Sequence, residues 1–303
     1  MAFNYSNHMN EFEHYGNHRE AKKHPSEMLA GILQDQSQRI NKMLAQENFP
    51  GELLKPDATI DPDGYAELYD ATALEADKKL VREREIEFSG AHNPNVQAFY
   101  KDEYGADTEE KILAQWRENK SREKNVQMEM AITALLSQKL GDEFLVVRTA
   151  PYDDYENGGD NLILDRVTRE VVGAFDEVHE GGDGSRMEGK KEKIRTIAKN
   201  GGANIRYGLK LEKGKIGRAK LQGVPVFYLG LDSSTLMELV QALSDGDTVK
   251  TDAIFKTLLT SLEEQRAELG KYTRVPEFHR RLTAFRRSLS RLTQPTTAPA
   301  AAA

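Results

Sequence analysis

Two short apolar runs, each bordered by carboxylates, constrain the fold of this chain more than any other stretch. The runs, 162–164 and 171–172, consist of leucine and β-branched residues, and the polar segment between them is typical of a hairpin connection. Asp160 opens the first run, and Asp176 and Glu177 close the second. Antiparallel pairing places the start of one strand beside the end of the other. We therefore expect these acids to meet at one edge of a sheet.

The composition excludes several classes of site and confines the core to part of the chain. The 303 residues are 38% hydrophobic and 30% charged, with a net charge of -7, which is typical of a protein with long exposed helices or disordered ends. Because the chain has no cysteine, disulfides and thiolate sites are excluded, and any metal must bind oxygen or imidazole. The lack of cysteine and of a signal-peptide pattern predicts a cytoplasmic protein, and no apolar window is long enough for a membrane span.

Hydrophobic periodicity and breaks in the pattern predict a division of the chain into segments of different character. An apolar helix begins near Arg122 and ends at Gly141, and a buried strand, an acidic loop over 151–159 and the hairpin follow it. Around this part the chain is more polar. The predicted segments are a flexible N-terminus (1–27), a helical polar arm or lid (28–120), an α/β core (121–232), C-terminal helices (233–292) and a disordered tail (293–303).

Residues 123–231 resemble the core of the PD-(D/E)XK nuclease superfamily in the order of their elements and the position of their acids. The matching residues are Glu129 in the first helix, Asp160 in GGDNLIL, and Glu177 with His179 in AFDEVHE. The resemblance implies a mixed central sheet with an α-β-β-β-α-β restriction-endonuclease-like core, and metal-dependent nuclease activity. The AFDEVHE block also resembles an uncharacterised bacterial protein family, which implies no function.

The resemblance implies a chemistry for these acids. Cleavage of a phosphodiester requires an activated water and stabilisation of charge on phosphate oxygens, and Mg²⁺ or Mn²⁺ held by carboxylates can supply both. Asp160 and Glu177 are the implied metal ligands, and Glu129 would help to hold the metal or its waters. Side chains alternate along a strand, so Glu177 shares a face with His179 while Asp176 points to the other. Glu177 is therefore the implied metal ligand, and Asp176 is not.

His179 is the main departure from the family pattern, because the family usually has lysine at this position. Histidine is mostly neutral at pH 7 and does not supply a fixed positive charge. Lys190 or Lys191, on the helix after the hairpin, could reach back and replace it. The candidate catalytic residues are therefore Asp160, Glu177, His179, Glu129, Lys190 and Lys191.

Two basic segments are candidate contacts for DNA or RNA, since lysine and arginine bind phosphates. They are the helix after the hairpin and the Arg280–Arg291 helix, although the latter also fits an acidic membrane, an acidic partner or packing against the acidic N-terminal helices. Two alternative functions stay open: a catalytically inactive nucleic-acid-binding protein of the same fold, and a helical protein-interaction scaffold. A homo-oligomer also stays open. The cations on the first basic helix are Lys190, Lys193, Arg195 and Lys199.

Overall fold

The structure is a computed structural model that describes residues 24–180, 185–212 and 215–293. Most of the predicted flexible N-terminus and nearly all of the predicted tail lie outside these residues. The helices are α1 (Pro25–Gln46), α2 (Ala71–Ser89), α3 (Pro94–Tyr104), α4 (Glu109–Ser121), α5 (Lys124–Leu140), α6 (Pro151–Asn157), α7 (Ser185–Lys199), α8 (Ser233–Asp245), α9 (Thr248–Leu269) and α10 (Pro276–Thr293). The strands are β1 (Phe144–Arg148), β2 (Asn161–Asp165), β3 (Glu170–Glu180), β4 (Ala203–Glu212), β5 (Lys215–Val224) and β6 (Val226–Asp232).

A mixed sheet with the strand order β1-β2-β3-β6 lies at the centre of the protein. β2 is antiparallel to both of its neighbours, β1 and β3, and β6 runs parallel to β3. Parallel neighbours need a crossover connection, which here contains α7 and the separate two-stranded sheet of β4 and β5. The predicted α/β fold, with a mixed sheet flanked by helices, is confirmed.

Stacked aromatic rings join the C-terminal helix to the sheet. The ring centroid of Phe285 on α10 lies 4.2 Å from that of Phe227 on β6 and 6.4 Å from that of Phe175 on β3. All three side chains are almost fully buried. Aromatic pairs at such distances add to the free energy gained by removing apolar surface from water. The strand that carries Asp176 and Glu177 is therefore held in place from α10.

The first helix belongs to the core, so the prediction of a polar arm is wrong for this part of 28–120. Gln36 on α1 donates a hydrogen bond from Nε2 to the Val146 carbonyl of β1 at 2.8 Å. A smaller cluster, centred on Tyr100 and Ile112, joins α3 to α4. The apolar residues of α1 recur at helical spacing, which places them on one face that must be buried. The buried residues on this face are Leu29, Leu33, Ile40 and Leu44.

The predicted acidic loop over 151–159 is largely a short helix, α6. Pro151 lies in its first turn, where a missing N–H is tolerated. Asp153 and Asp154 also lie in the first turn, where the helix dipole favours negative charge. Gly158 ends the helix with φ at 69°, a left-handed conformation that favours glycine. These local signals were present in the sequence.

The basic C-terminal helix packs against the hairpin and not against the N-terminal helices. Arg291 Nη1 lies 2.6 Å from Asp165 Oδ2 at the end of β2, and Arg280 forms an ion pair with Glu170 at the start of β3. The expected packing against the acidic N-terminal helices is therefore wrong for these arginines, since their partners belong to the hairpin. Contact of this helix with nucleic acid stays a prediction. None of the described helices is both long enough and apolar enough to cross a bilayer.

We predict that Phe285→Ala lowers the free energy of unfolding by about 3 to 5 kcal/mol, because it removes a buried ring from the aromatic stack. Urea unfolding followed by circular dichroism would measure the change. Arg287→Ala is the matched control, since Arg287 lies on the same helix and is exposed; its effect should stay within about 0.5 kcal/mol. Equal effects of the two substitutions would contradict the packing described for α10.

Candidate functional site

The pairing of β2 with β3 brings Asp160 to the acids near the end of β3. The first residue of β2 is paired with Phe175, and the Asp160 N–H donates to the Phe175 carbonyl at 2.7 Å. Asp160 Oδ2 accepts a hydrogen bond from the Glu177 N–H, also at 2.7 Å. A Cβ at Gly159 would lie only 2.9 Å from Ala174 Cβ. Glycine before Asp160 therefore permits this close approach of the two strands.

Asn161 connects the strand pair to α5. Its Nδ2 donates to Glu177 Oε1 at 2.8 Å, and its Oδ1 lies 3.0 Å from the Thr133 hydroxyl. All three residues are buried. A buried amide that is bonded at both ends has little freedom to rotate. Asn161 therefore holds Glu177 in one orientation.

The helix before β1 supplies the next acid. Glu129 Oε2 accepts a hydrogen bond from Arg148 Nη2 at 2.9 Å. The Glu129 and Arg148 side chains are 22% and 17% exposed, so the ion pair is largely shielded from water. The backbone of Arg148 is fixed in turn, because its carbonyl accepts from the Ile60 N–H at 2.9 Å.

A fourth acid comes from α6. Burial raises the pKa of Asp154, and the charge of Glu129 raises it further, while Asp160 also lies near enough to affect it. The structure thus brings the predicted Glu129, Asp160 and Glu177 together with Asp154. We call Glu129, Asp154, Asp160 and Glu177 the acidic cluster.

Burial and mutual repulsion keep protons on the acidic cluster. Burial, together with the charge of Asp160, raises the pKa of Glu129 to about 7. Burial and neighbouring acids also raise the pKa of Asp160 and of Asp154, and raise the pKa of Glu177 well above its usual value. The metal-free cluster therefore holds fewer negative charges at neutral pH than it has carboxyl groups. A bound cation could replace these protons.

Two carboxylate oxygens in this region are buried without a hydrogen-bond donor among the described residues: Glu177 Oε2 and Asp176 Oδ2. Buried polar atoms usually have a partner, since desolvation without one is unfavourable. Asp160 lies close by, since its Oδ2 accepts from the Glu177 N–H. The unpaired Glu177 oxygen is thus a candidate position for a proton or a cation.

Lys190 reaches back to the strand, whereas Lys191 does not. Lys190 forms an ion pair with Asp176, and its charge also acts on Asp160, Asp154 and Glu129. Lys191 instead contacts Glu188 at 2.8 Å and lies 5.8 Å from the Tyr228 ring centroid. Successive residues of a helix point about 100° apart. Lys191 was expected to reach back to the acids, and this expectation is wrong. The catalytic role of Lys190 stays a prediction.

His179 has a partner outside the acidic cluster. Its Nε2 lies 2.9 Å from the hydroxyl of Ser233, the first residue of α8. Along an extended strand, residues two apart lie about 7 Å from each other. The ring of His179 is therefore directed to Ser233, and Lys190 is the cation that pairs with an acid of β3. That Lys190 replaces the charge of the family's lysine stays a prediction.

Of the other cations of α7, one lies near α6 and the others lie farther along the helix. Lys193 Nζ approaches Gly158. Burial raises the pKa of Asp176 to about 6, and the charge of Lys193 offsets a small part of this rise. Arg195 and Lys199 pair with Glu192 and lie farther along the helix. Three further residues contact or adjoin the predicted acids, and their partners are distant in sequence, so no local pattern indicates them: Asp154, Asn161 and Arg148. For Asp154, the short helix delimited by Pro151 and Gly158 is the signal in the sequence.

The donor atoms suit Mg²⁺ or Mn²⁺ in type and charge, since all are carboxylate oxygens. Glu177 has a buried oxygen without a partner, and burial beside other acids raises its pKa. Both features indicate negative charge that a bound cation would neutralise. In the described part of the chain, no three acidic or histidine side chains already form a metal-binding group. Asp160 Oδ2 and Glu177 Oε1 are bonded to N–H donors. Cation binding therefore requires loss of protons and rotation of side chains.

Comparison with family models, with curated proteins and with solved structures found no match to this chain. The chemistry of the site is therefore the basis for a proposed function.

We predict that Glu129 makes the stability of the metal-free protein depend on pH. The folded protein retains a proton on Glu129 up to a pKa of about 7, whereas the unfolded chain loses it near 4.5. Between these values the folded state binds more protons, so stability falls as the pH rises. In urea unfolding with a chelator, wild type should lose on the order of 2 kcal/mol relative to Glu129→Gln between about pH 5 and pH 8. A difference that does not change with pH would contradict this assignment.

Proposed function

We propose that this protein is a metal-dependent nuclease, which hydrolyses phosphodiester bonds of nucleic acid at the acidic cluster. The observation that carries the proposal is the contact between Asp160 and Glu177 in a buried site, with an unpaired oxygen on Glu177 and with Glu129 within electrostatic range. The resemblance to PD-(D/E)XK nucleases supports the same reading. The lack of cysteine fits a cytoplasmic location.

Asp160, Glu177 and Glu129 would hold Mg²⁺ or Mn²⁺, which supplies an acidified water and neutralises charge on the phosphate. Glu129, whose pKa is raised to about 7 in the cation-free protein, would lose its retained proton when the cation binds. Lys190, held by Asp176, provides a positive charge that stabilises negative charge on phosphate oxygens. Asn161 keeps Glu177 oriented.

We predict that Glu177→Gln stabilises the cation-free protein by about 1 to 2 kcal/mol, as substitutions in strained sites often do. The glutamine keeps the acceptor for Asn161 and adds an N–H that can donate to Asp160, so it replaces the retained proton. Thermal unfolding with a chelator would measure the gain. Glu188→Gln, an exposed substitution on α7, is the control and should leave stability almost unchanged.

The same experiment with Mn²⁺ tests the metal site directly. Wild type should gain about 1.4 kcal/mol of stability at a cation concentration of about ten times the Kd, whereas Glu177→Gln should lose most of this gain. An equal ionic strength of sodium chloride controls for screening. Equal gains for wild type and Glu177→Gln would place the cation elsewhere.

We predict that the wild-type protein cleaves labelled DNA or RNA with Mg²⁺ or Mn²⁺ and not with a chelator. Asp160→Asn should reduce cleavage to background, and Lys190→Met should slow it by about 100-fold or more, since it removes a charge that stabilises the transition state. Lys191→Met is the matched control, because Lys191 is the adjacent lysine and faces Tyr228.

The failure of wild type to cleave any nucleic acid would refute the proposal. Binding without cleavage would favour the inactive nucleic-acid-binding alternative. Equal losses for Lys190→Met and Lys191→Met would exclude a specific role of Lys190.

A further inference from the structure

Three aromatic rings from separate helices lie together next to the acidic cluster. Phe88 on α2 and Tyr155 on α6 have ring centroids 5.7 Å apart. Trp116 on α4 joins them through Lys120, whose Nζ lies 5.1 Å from the Trp116 ring centroid and 5.7 Å from the Tyr155 ring centroid. We call Phe88, Trp116, Tyr155 and Lys120 the aromatic patch.

Lys120 and Tyr155 connect the patch to the candidate catalytic residues. Tyr155 directly follows Asp154 on α6, so the patch adjoins the acidic cluster along the chain. Lys120 lies near enough to Glu129 and Asp154 for its positive charge to act on both, although burial keeps the pKa of each raised. A ligand in contact with the patch would therefore extend into the acidic cluster.

The patch has an exposed ring and local acids that are already neutralised. Phe88 is 59% exposed, although it is a large apolar side chain. The nearby acid Glu156 is paired with Arg84 Nη2 at 3.1 Å, and Glu85 with Arg117 Nε at 3.0 Å. An anionic ligand thus meets Lys120 without facing unpaired acids at these two positions.

We propose that the aromatic patch binds single-stranded nucleic acid, whose bases stack on Phe88 and Trp116 while Lys120 contacts a phosphate. This inference rests on the proposed function and names its substrate class. Base stacking on aromatic rings binds a single strand with little sequence preference, and a groove lysine binds its backbone. The bases of a duplex are stacked on one another, and so the rings of the patch cannot reach them.

The charge of the protein also favours a single strand over a duplex. Duplex binding depends on many lysine and arginine contacts with phosphates of both strands. The chain has a net charge of -7, and Arg280 and Arg291 of the basic α10 are ion-paired with acids of the same chain. The positive charges that act on Glu129 are few, and Lys120 and Lys190 are among them. A site with few cations suits a single backbone better than a duplex.

The test uses the full-length Glu177→Gln protein, in which binding can be measured without cleavage. Labelled oligothymidylate and oligouridylate of about 20 nucleotides are compared with a duplex of equal length by fluorescence anisotropy. We expect a single strand to bind about tenfold tighter than the duplex. The two oligonucleotides distinguish DNA from RNA. Trp116 is the single tryptophan of the chain, so stacking should also quench the intrinsic fluorescence.

In this background Phe88→Ala should weaken single-strand binding by about fivefold or more, as expected for the loss of one stacked base. Phe99→Ala is the matched control, because Phe99 is 52% exposed and lies on α3, among the rings of Tyr100 and Tyr104. Both phenylalanines are exposed, so neither change should affect folding, which thermal unfolding would verify.

Lys120→Met should weaken binding and reduce the slope of log K against log salt by about 0.7, the value for one phosphate contact with a single strand. Lys111→Met is its control, since Lys111 lies on the same helix and is ion-paired with Asp107. Equal affinity for the duplex, equal effects of Phe88→Ala and Phe99→Ala, or an unchanged salt slope for Lys120→Met would each overturn the inference. The proposed function fails instead through a lack of metal-dependent cleavage by wild type, so the two failures are distinguishable.

Discussion

Asp160 Oδ2 accepts a 2.7 Å hydrogen bond from the backbone N–H of Glu177, in a region where water is largely excluded. This contact forces carboxyl groups of two strands into one small volume, where burial and like charge both oppose ionisation. The protein offsets the penalty in part with specific partners for individual acids. Asn161 binds Glu177, Arg148 binds Glu129, and retained protons reduce the remaining charge.

Each element around the sheet positions one part of this arrangement. α5 carries Glu129, α6 carries Asp154, and α7 directs Lys190 to Asp176. The Gln36 side chain of α1 and the backbone of Ile60 donate hydrogen bonds to β1, and α10 packs on β3. Buried acids with unpaired oxygens reduce the stability of the fold. Such features are usually found at sites where a ligand compensates for them.

Much of the fold follows from local patterns, and so does part of the site. Alternation and the apolar runs predicted β2, β3 and their hairpin, and antiparallel pairing predicted that Asp160 would meet Glu177. The errors also have local causes. The short α6 was interpreted as a loop because acids dominate it, although Pro151 and Gly158 delimit a helix. α1 was assigned to an arm because the first 120 residues as a whole are polar and predicted to be helical.

The sequence by itself determined which residues form strands and helices, that any metal must bind oxygen or imidazole, and which acids lie at the strand ends. Only the tertiary structure decided which side chains meet. Lys190 faces the acids while Lys191 faces Tyr228, His179 contacts Ser233, and Asp154 joins the cluster. The physical reason is that backbone periodicity depends on neighbouring residues, whereas the partner of a side chain depends on packing between elements far apart in sequence.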